Sequence, residues 1–433
     1  STNASATANQ SSSDIMEMLR RRRCRVLKRV PRASRIPAAE KLASTLQQVL
    51  ANPDNIPKWT ELLLFTFSCF GVPGQRGGKR HLSSLTSKVN QAIANFPTVS
   101  PPDSAGVRHS PKHRTKPDDL AARVSSKIED GDIRGAIRLA ASDAVLAPFD
   151  DVTAAALQTK HPARSMSDAP APPPSTNHPI HCLLESDILG AVKSFVPGSA
   201  GGPDGLRPQH LKDLTSASAG DAGKRLLTRL TDFANLCLSG RVPAGIQPVF
   251  CGASLCALNK KDGGIRPIAV GSTLRRLVAK SSCRVVTTKM AERFLPIQLG
   301  FGIPRGTEAA VHATRQYIAG LQPGHGLLKL DFNNAFNTIR RDAVFDAVRQ
   351  ELPELYAFVY MCYKDTSLLN FGEHLLQSDE GVQQGDPLGP LLYCASTMKL
   401  VRSMTSELNL WYLDDGTIGG ELHDLLHDLD TRS

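Results

Sequence analysis

Two adjacent aspartates near the end of the chain, Asp414 and Asp415, constrain this sequence more than any other feature. The surrounding sequence, Leu-Asn-Leu-Trp-Tyr-Leu-Asp-Asp-Gly-Thr-Ile at residues 408–418, predicts two short strands joined at Asp-Asp-Gly. Such a hairpin holds two like charges at its tip. Because like charges a few ångströms apart drive one pKa upward, the pattern is best explained by a divalent cation that neutralises them.

A third acid, Asp331, ends an apolar run at residues 326–331 that is typical of a buried strand. An acid at the C-terminal end of such a strand points into the crevice where ligands bind. Carboxylate oxygens suit Mg²⁺, which keeps several waters and accepts substrate phosphates as ligands. Asp-Asp-Gly alone is an ordinary turn, but together with Asp331 it predicts a site for two metal ions.

Residues 384–387 have the sequence Gln-Gly-Asp-Pro, which predicts the start of a helix. Asp386 is a favourable N-cap and Pro387 a favourable first helical residue. Gly385 permits close approach of the backbone to a ligand.

Residues 259–268, Asn-Lys-Lys-Asp-Gly-Gly-Ile-Arg-Pro-Ile, predict a hairpin with Asp-Gly-Gly at its tip. Lys260, Lys261 and Arg266 lie on its arms, where they could meet a polyphosphate. Lysines that flank a turn are also common on protein surfaces, so a solvated turn remains an alternative for the two lysines.

Three segments together resemble the catalytic motifs A, B and C of reverse transcriptases, in that order. They are Asp331-Phe-Asn-Asn-Ala-Phe336, Gly381-Val-Gln-Gln-Gly-Asp-Pro-Leu-Gly-Pro390 and Tyr412-Leu-Asp-Asp415. The resemblance is strongest to non-LTR (LINE-like) retrotransposons and covers residues 181–433. It implies an α+β fold, the fingers and palm of a right-hand polymerase, truncated after motif C so that the thumb is missing.

The same resemblance implies that Asp331 and Asp414 ligate two Mg²⁺ ions, with Mn²⁺ as an alternative ion, and that Asp415 completes the catalytic site. Phe336 would lie under the sugar of the incoming nucleotide and leave no room for a 2′-hydroxyl. The alternative is that Phe336 is a core residue of its helix.

Nucleotide and template contacts are implied as well. Arg266 would grip the triphosphate with Lys260 or Lys261 beside it, while the loop and helix of motif B line the nucleotide. The residues implied by this resemblance are Arg266, Lys260, Lys261, Phe336, Gln384 and Gly385 for the nucleotide, and Arg275 or Arg276 for template phosphates.

The expected function is therefore RNA-directed DNA polymerase, with an RNA template, a DNA primer or target DNA, and dNTPs as partners. An RNA-dependent RNA polymerase shares the carboxylates, but Phe336 and Tyr-Leu-Asp-Asp disfavour it. A second alternative is an inactive remnant that only binds nucleic acid, because eighteen residues follow Asp415, too few for a thumb.

Charge and cysteine content agree with a nucleic-acid partner inside the cell. The chain has 51 Lys and Arg against 41 acids, a net charge of +10, which suits a phosphate backbone. Its nine cysteines include no CxxC pair, which favours reduced thiols. Eight basic residues in 20–32 predict a nuclear-localisation signal or a phosphate-binding arm, with a solvated helix face as the alternative. No apolar run is long enough to suggest a membrane partner.

The predicted domain organisation has four parts. Residues 1–34 form a disordered basic arm, and residues 35–160 a helical region with a mobile linker near 100–117. A Pro-rich linker at 161–180 precedes the incomplete fingers and palm at 181–433.

Overall fold

The computed structural model describes residues 11–22, 24–72, 84–97, 120–141, 146–165, 170–174, 181–260 and 263–430. The chain divides into two compact units. The first unit comprises Ser1–Leu157, Cys182–Val278 and Ser367–Leu376, and the second Gln158–His181, Ala279–Thr366 and Gln377–Ser433.

The described chain contains both helices and strands, which agrees with the predicted α+β class. The helices are α1 Ser12–Arg21, α2 Arg35–Ala51, α3 Ile56–Phe70, α4 Leu85–Asn95, α5 Leu120–Glu129, α6 Ile133–Ala140, α7 Asp151–Thr159, α8 Glu185–Ser194, α9 Pro208–Leu214, α10 Gly220–Leu238, α11 Gln247–Phe250, α12 Thr273–Phe294, α13 Gly306–Ala319, α14 Ala335–Thr338, α15 Arg341–Glu351, α16 Tyr356–Tyr363, α17 Gly389–Arg402 and α18 Leu422–Asp430. The strands are β1 Arg25–Val26, β2 Gly71–Val72, β3 Ala253–Asn259, β4 Ile265–Gly271, β5 His325–Asp331, β6 Ser367–Phe371, β7 His374–Ser378, β8 Leu408–Tyr412 and β9 Asp415–Glu421. No helix among the described residues combines the length and the apolar character needed to cross a membrane.

The helical part of the first unit is organised around Trp59. Asn55 caps α3 by accepting a hydrogen bond from the Lys58 amide at 3.1 Å. Trp59 is fully buried, and its ring centroid lies 5.4 Å from that of Phe233 and 5.8 Å from that of Phe250. Aromatic side chains of this size dominate core energetics, so this cluster fixes α3 against α10 and α11.

The prediction of a disordered arm over residues 1–34 is wrong for the part of that segment that the structure describes. Ser11 and Asp14 form a capping box at the start of α1, in which each side chain accepts a hydrogen bond from the backbone amide of the other residue. Ile15, Met16 and Leu19 are buried. The Ser-rich composition conceals an amphipathic helix. Residues 1–10 lie outside the described residues.

A mixed sheet of order β4-β3-β6-β7 forms the second part of the first unit. Strands β3 and β4 pair antiparallel over their whole length, and β3 pairs with β6 in parallel. Every second residue of β3 is buried, as expected when one face of a sheet packs on a core. That core consists of Ala147, Ala154, Leu157, Ala253, Leu255, Ala257, Ala269, Leu369, Phe371 and Leu376.

The linker predicted at 161–180 lies beside the points, after residues 157 and 181, at which the chain passes from one unit to the other, but it does not separate the helical region from the strands that follow. Helix α7 contributes Ala154 and Leu157 to the same core as β3 and β4, so the helical region and these strands fold as one unit. The described part of the Pro-rich segment belongs to the second unit, where the Tyr356 hydroxyl donates to the Ala171 carbonyl at 2.6 Å. Residues 166–169 and 175–180, and the predicted linker near 100–117, lie outside the described residues.

The second unit contains an antiparallel sheet of order β5-β9-β8. Trp411 of β8 is buried, stacks on Phe332 with 5.6 Å between ring centroids, and lies opposite Gly416 of β9. A Cβ atom at Gly416 would lie 2.5 Å from the Trp411 ring. Glycine at this position is therefore required by the packing of the indole.

Candidate active site

Three acidic residues meet at one end of the β5-β9-β8 sheet. Asp331 is the last residue of β5, and its register partner is Asp415, the first residue of β9. Asp414 precedes Asp415 in the turn that joins β8 to β9. Side chains directly opposite each other on antiparallel strands have Cβ atoms about 5 Å apart. The fold thus brings together the three acids that the sequence singled out.

The turn itself differs from the prediction by one residue. Tyr412 and Asp415 are register partners, so Leu413 and Asp414 form the turn and Asp415 belongs to the strand. Leu413 has a φ of 58°, in the left-handed region that side-chain-bearing residues rarely adopt. The sequence suggested Asp-Asp-Gly because glycine usually supplies this conformation, but here Gly416 serves the packing of Trp411.

The charges around the acids are only partly balanced. The Lys329 ammonium lies 3.4 Å from an Asp415 carboxylate oxygen, with both side chains more than half exposed, so the pair is screened by water. Burial and the negative charges of Asp414 and Asp331 raise the pKa of the Tyr393 hydroxyl on α17. Asp331 and Asp414 thus both lie close enough to this phenol to disfavour its ionisation.

The acids suit a hard divalent cation, although they do not form a preassembled cage. Among the described residues, no three His, Cys, Asp or Glu side chains converge as a ready ligand set. Mg²⁺ does not need one, since it keeps several waters and binds through one or two carboxylates plus substrate phosphates. Asp331 and Asp415 are exposed and Asp414 is half-buried, so their oxygens are accessible to such an ion.

Phe336 follows Asp331 by five positions in the chain and packs on α17. Its ring stacks on Tyr393 with 4.9 Å between centroids and 21° between planes. Its carbonyl accepts a hydrogen bond from the Val382 amide at 2.7 Å. Phe336 is half-buried, so it combines a packing contact with an accessible part. Its role as a sugar gate, a ring that excludes nucleotides with a 2′-hydroxyl, stays a prediction. Sequence reasoning missed Tyr393, whose only signal was its place in the first turns of α17.

The predicted helix start at Pro387 is two residues early, because α17 begins at Gly389. Asp386 caps a preceding turn instead, accepting from the Leu388 amide and from the Tyr363 hydroxyl, both at 3.0 Å. The Asp-Pro signal was correct in kind but marked this turn. Within the loop before it, Gln384 is half-buried and Gly385 is exposed.

Arg341 stabilises the motif B loop through hydrogen bonds to backbone carbonyls. The sequence did not indicate this role. Arg341 is fully buried and donates to the carbonyls of Gly381, Tyr363 and Ser378 at 3.0 to 3.1 Å. Gly381 has a φ of 71°, and a Cβ there would overlap the backbone of Asn337. Burial lowers the pKa of Arg341 to about 10, which leaves it charged at neutral pH. In the sequence it looks like any helix-terminal arginine.

Comparison with known proteins identifies this arrangement. A family model described as reverse transcriptase (RNA-dependent DNA polymerase) matches residues 258–429, which include all three acids. Residues 258–429 are a reverse transcriptase domain. The chain is also 32% identical over 149 residues to the retrotransposable element SLACS 132 kDa protein of Trypanosoma brucei gambiense. That alignment covers 32% of this chain and 12% of the SLACS protein, so the chain spans a small part of its relative.

The family match confirms a reverse transcriptase domain over residues 258–429 and implies the palm and fingers of a polymerase. Reverse transcriptases are nucleotidyltransferases that use divalent metal ions, a nucleic-acid template and nucleotide substrates. The non-LTR subtype, the missing thumb and the roles of individual residues stay predictions.

The predicted triphosphate contacts of the reverse transcriptase domain lie on the β3-β4 hairpin of the first unit. Arg266 and Lys260 are exposed, and Arg266 is the register partner of Leu258. The Lys260 amide donates to the Gly264 carbonyl at 2.7 Å and closes the turn. Both side chains are thus available to an anionic ligand. Lys261 lies outside the described residues.

Arg275 and Arg276, predicted to contact template phosphates, are buried at the start of α12, with 1% and 9% of their surface exposed. Arg275 donates to the Cys251 carbonyl at 2.6 Å, and Arg276 to the Ala200 carbonyl at 2.5 Å. These bonds give both arginines a structural role in the first unit. Contact with template stays a prediction.

Proposed function

We propose that this chain catalyses RNA-templated DNA synthesis by two-metal nucleotidyl transfer. The observation that carries the proposal is the register pairing of Asp331 with Asp415, with Asp414 in the adjoining turn, inside a reverse transcriptase domain. Carboxylate oxygens are ligands that Mg²⁺ prefers, and one or two of them suffice because the ion also binds water and substrate phosphates.

Asp331 and Asp414 would hold two divalent ions, and Asp415 would support the site. The ions, when bound, supply charge stabilisation to the attacking and the leaving oxygen. In the reaction the primer 3′-hydroxyl forms a bond to the α-phosphorus of the dNTP and loses its proton. The bond between the α- and β-phosphates breaks and pyrophosphate leaves. The carboxylates contribute mainly positioning and charge balance, as in other phosphoryl transfers.

Phe336 would select the sugar. Tyr393 stacks on one face of its ring and limits the directions in which the ring can move away. A ring held in this way can exclude a 2′-hydroxyl by steric overlap, which favours dNTPs over rNTPs. Arg266 and Lys260, both exposed cations, would bind the triphosphate with charge-assisted hydrogen bonds.

Primer extension tests the proposal. The chain is given an RNA template with an annealed DNA primer, Mg²⁺, and either dNTPs or rNTPs. We expect extension with dNTPs that is lost in Asp414→Ala and kept in Asp346→Ala, a matched exposed aspartate on α15. Efficient use of rNTPs would support an RNA-dependent RNA polymerase instead. Template binding without any Mg²⁺-dependent extension would support an inactive remnant.

We also propose that the chain derives from a non-LTR retrotransposon and acts in the nucleus. An origin from a retrotransposon is supported by the similarity to a retrotransposable element protein, and the non-LTR subtype by the resemblance of the three catalytic motifs. The nuclear location rests on the basic run at residues 20–32.

A further inference from the structure

A buried glutamine, Gln298, lies beside the catalytic turn of the second unit. Its segment runs parallel to β8, with a bridge between Gln298 and Trp411. The Leu299 amide donates to the Trp411 carbonyl at 2.7 Å, and the Trp411 amide donates to the Ile297 carbonyl at 2.8 Å. Residues 297–299 therefore act as a short additional strand beside β8. Gln298 itself has no exposed surface.

The Gln298 side chain extends this pairing into the turn. Its Oε1 accepts from the Leu413 amide at 2.8 Å, and its Nε2 donates to the Leu413 carbonyl at 3.1 Å. The Gly300 amide also donates to Oε1, at 2.9 Å, which fixes the orientation of the carboxamide. One side chain thus satisfies both backbone polar groups of Leu413, in the way a partner strand would.

Leu413 needs such a partner because its backbone conformation is unfavourable. With a φ of 58° it occupies the left-handed region, which a leucine leaves readily unless its surroundings hold it there. Packing adds to the restraint, since a Cβ at Gly300 would overlap the Leu413 amide and lie 2.8 Å from its side-chain Cδ2. The residue held in this way is the immediate neighbour of Asp414.

We propose that Gln298 is a positioning residue for nucleotidyl transfer. It fixes the backbone of Leu413 and thereby the direction in which the Asp414 carboxylate points relative to Asp331. It acts through Leu413 and touches neither nucleotide nor metal. A carboxamide is required because the site needs one acceptor and one donor at the same distance from the backbone, and among side chains of this length only glutamine supplies both. The proposal rests on the proposed function of the chain.

Steady-state kinetics of Gln298→Met test the catalytic part. Methionine keeps the volume and removes all three hydrogen bonds. We expect kcat to fall by about tenfold to a hundredfold, because small misplacements of catalytic groups have effects of this size. KM for dNTP should change by less than about twofold, and the Mg²⁺ concentration for half-maximal activity should rise, since the lost contact serves the metal site rather than nucleotide binding.

The matched control is Gln247→Met. Gln247 is also a buried glutamine, and its Nε2 donates to the Val242 carbonyl at 2.6 Å, but it belongs to the first unit. It should leave the Mg²⁺ dependence unchanged. Equal effects of the two variants on kcat and Mg²⁺ dependence would overturn the proposal, because general loss of stability would then explain both.

Amide hydrogen exchange of the peptide containing Leu413 and Asp414 gives a readout that does not depend on activity. We expect protection in the wild type and its loss in Gln298→Met, with little change in β3 and β4. If Gln298→Met does not fold, Gly300→Ala takes its place, because the added methyl group displaces Leu413 from Gln298 and should reduce both kcat and protection. Unchanged protection in the variant would refute the proposed role of Gln298 in holding the Leu413 backbone. If the wild type shows protection that Gln298→Met loses, but cannot extend a primer, the contact between Gln298 and Leu413 is supported and the proposed function is refuted.

Discussion

Replacing Arg341 by methionine should lower the unfolding free energy of the second unit and destabilise the motif B loop. The guanidinium donates to three buried carbonyls, those of Gly381, Tyr363 and Ser378, and to the carbonyl of the exposed Asp365. Methionine fills similar space but leaves these acceptors without their donor. Each buried acceptor that loses its partner costs about 1 to 3 kcal/mol.

The losses are not additive, because the surrounding backbone relaxes and water enters. We therefore expect a total loss of about 3 to 5 kcal/mol, which is less than the sum of the separate penalties for the buried acceptors. Since domains unfold with free energies of about 5 to 15 kcal/mol, the change consumes a large part of the stability of the unit.

The two tryptophans of the chain allow the effect to be assigned to one unit. Trp59 belongs to the first unit and Trp411 to the second, and both are buried. Urea unfolding followed by Trp411 fluorescence in a Trp59→Phe background should show the loss after Arg341→Met. The neighbouring Arg340 is exposed, and Arg340→Met serves as the matched control with a small expected effect. A change of less than about 1 kcal/mol for Arg341→Met would refute the reasoning.

Three further predictions concern the sugar gate, the ring that supports it and a buried acid. Phe336→Ala should raise rNTP incorporation relative to dNTP by at least about tenfold in competition assays, since the ring that meets the 2′-hydroxyl is gone. Tyr393→Ala should also raise rNTP incorporation relative to dNTP, because it removes the ring on which Phe336 stacks. Tyr393→Phe keeps this ring and should have a much smaller effect. Burial raises the pKa of Asp204 to about 6, above 3.8 for the free acid, so its contribution to the unfolding free energy is present below pH 3.8 and lost as pH rises through 6. Between pH 5 and pH 7 the unfolding free energy of the wild type should therefore fall by about 1 kcal/mol relative to that of Asp204→Asn. Urea unfolding followed by Trp59 fluorescence measures this difference, and parallel pH profiles for the two proteins would contradict the prediction.

The parts of the site that the sequence predicted are those encoded by short-range patterns. Asp331 at a strand end and Asp414 between two apolar runs are local signals, and the structure places both at one sheet end. Local patterns locate elements less accurately than they identify them, as the start of α17 at Gly389 illustrates.

Other parts depend on contacts between residues far apart in the chain, which no local pattern encodes. Gln298 lies more than a hundred positions before Leu413, and nothing in its own neighbourhood indicates the pairing. The same holds for the shared core of α7 and β3, which joins the helical region to these strands. Helix α1 is not indicated by the serine-rich composition around its start, and its local signal is the helical spacing of Ile15 and Leu19.

The rate of dNTP incorporation as a function of Mg²⁺ concentration, compared between wild type and Asp331→Asn, decides whether the carboxylates at this sheet end form the site of nucleotidyl transfer. Single-turnover measurements on an RNA template isolate the chemical step. We predict a saturable Mg²⁺ dependence in the wild type and a loss of at least about a hundredfold in the variant, because removing a metal ligand forfeits transition-state charge stabilisation. Incorporation by Asp331→Asn at the wild-type rate and with the wild-type Mg²⁺ dependence would contradict the assignment.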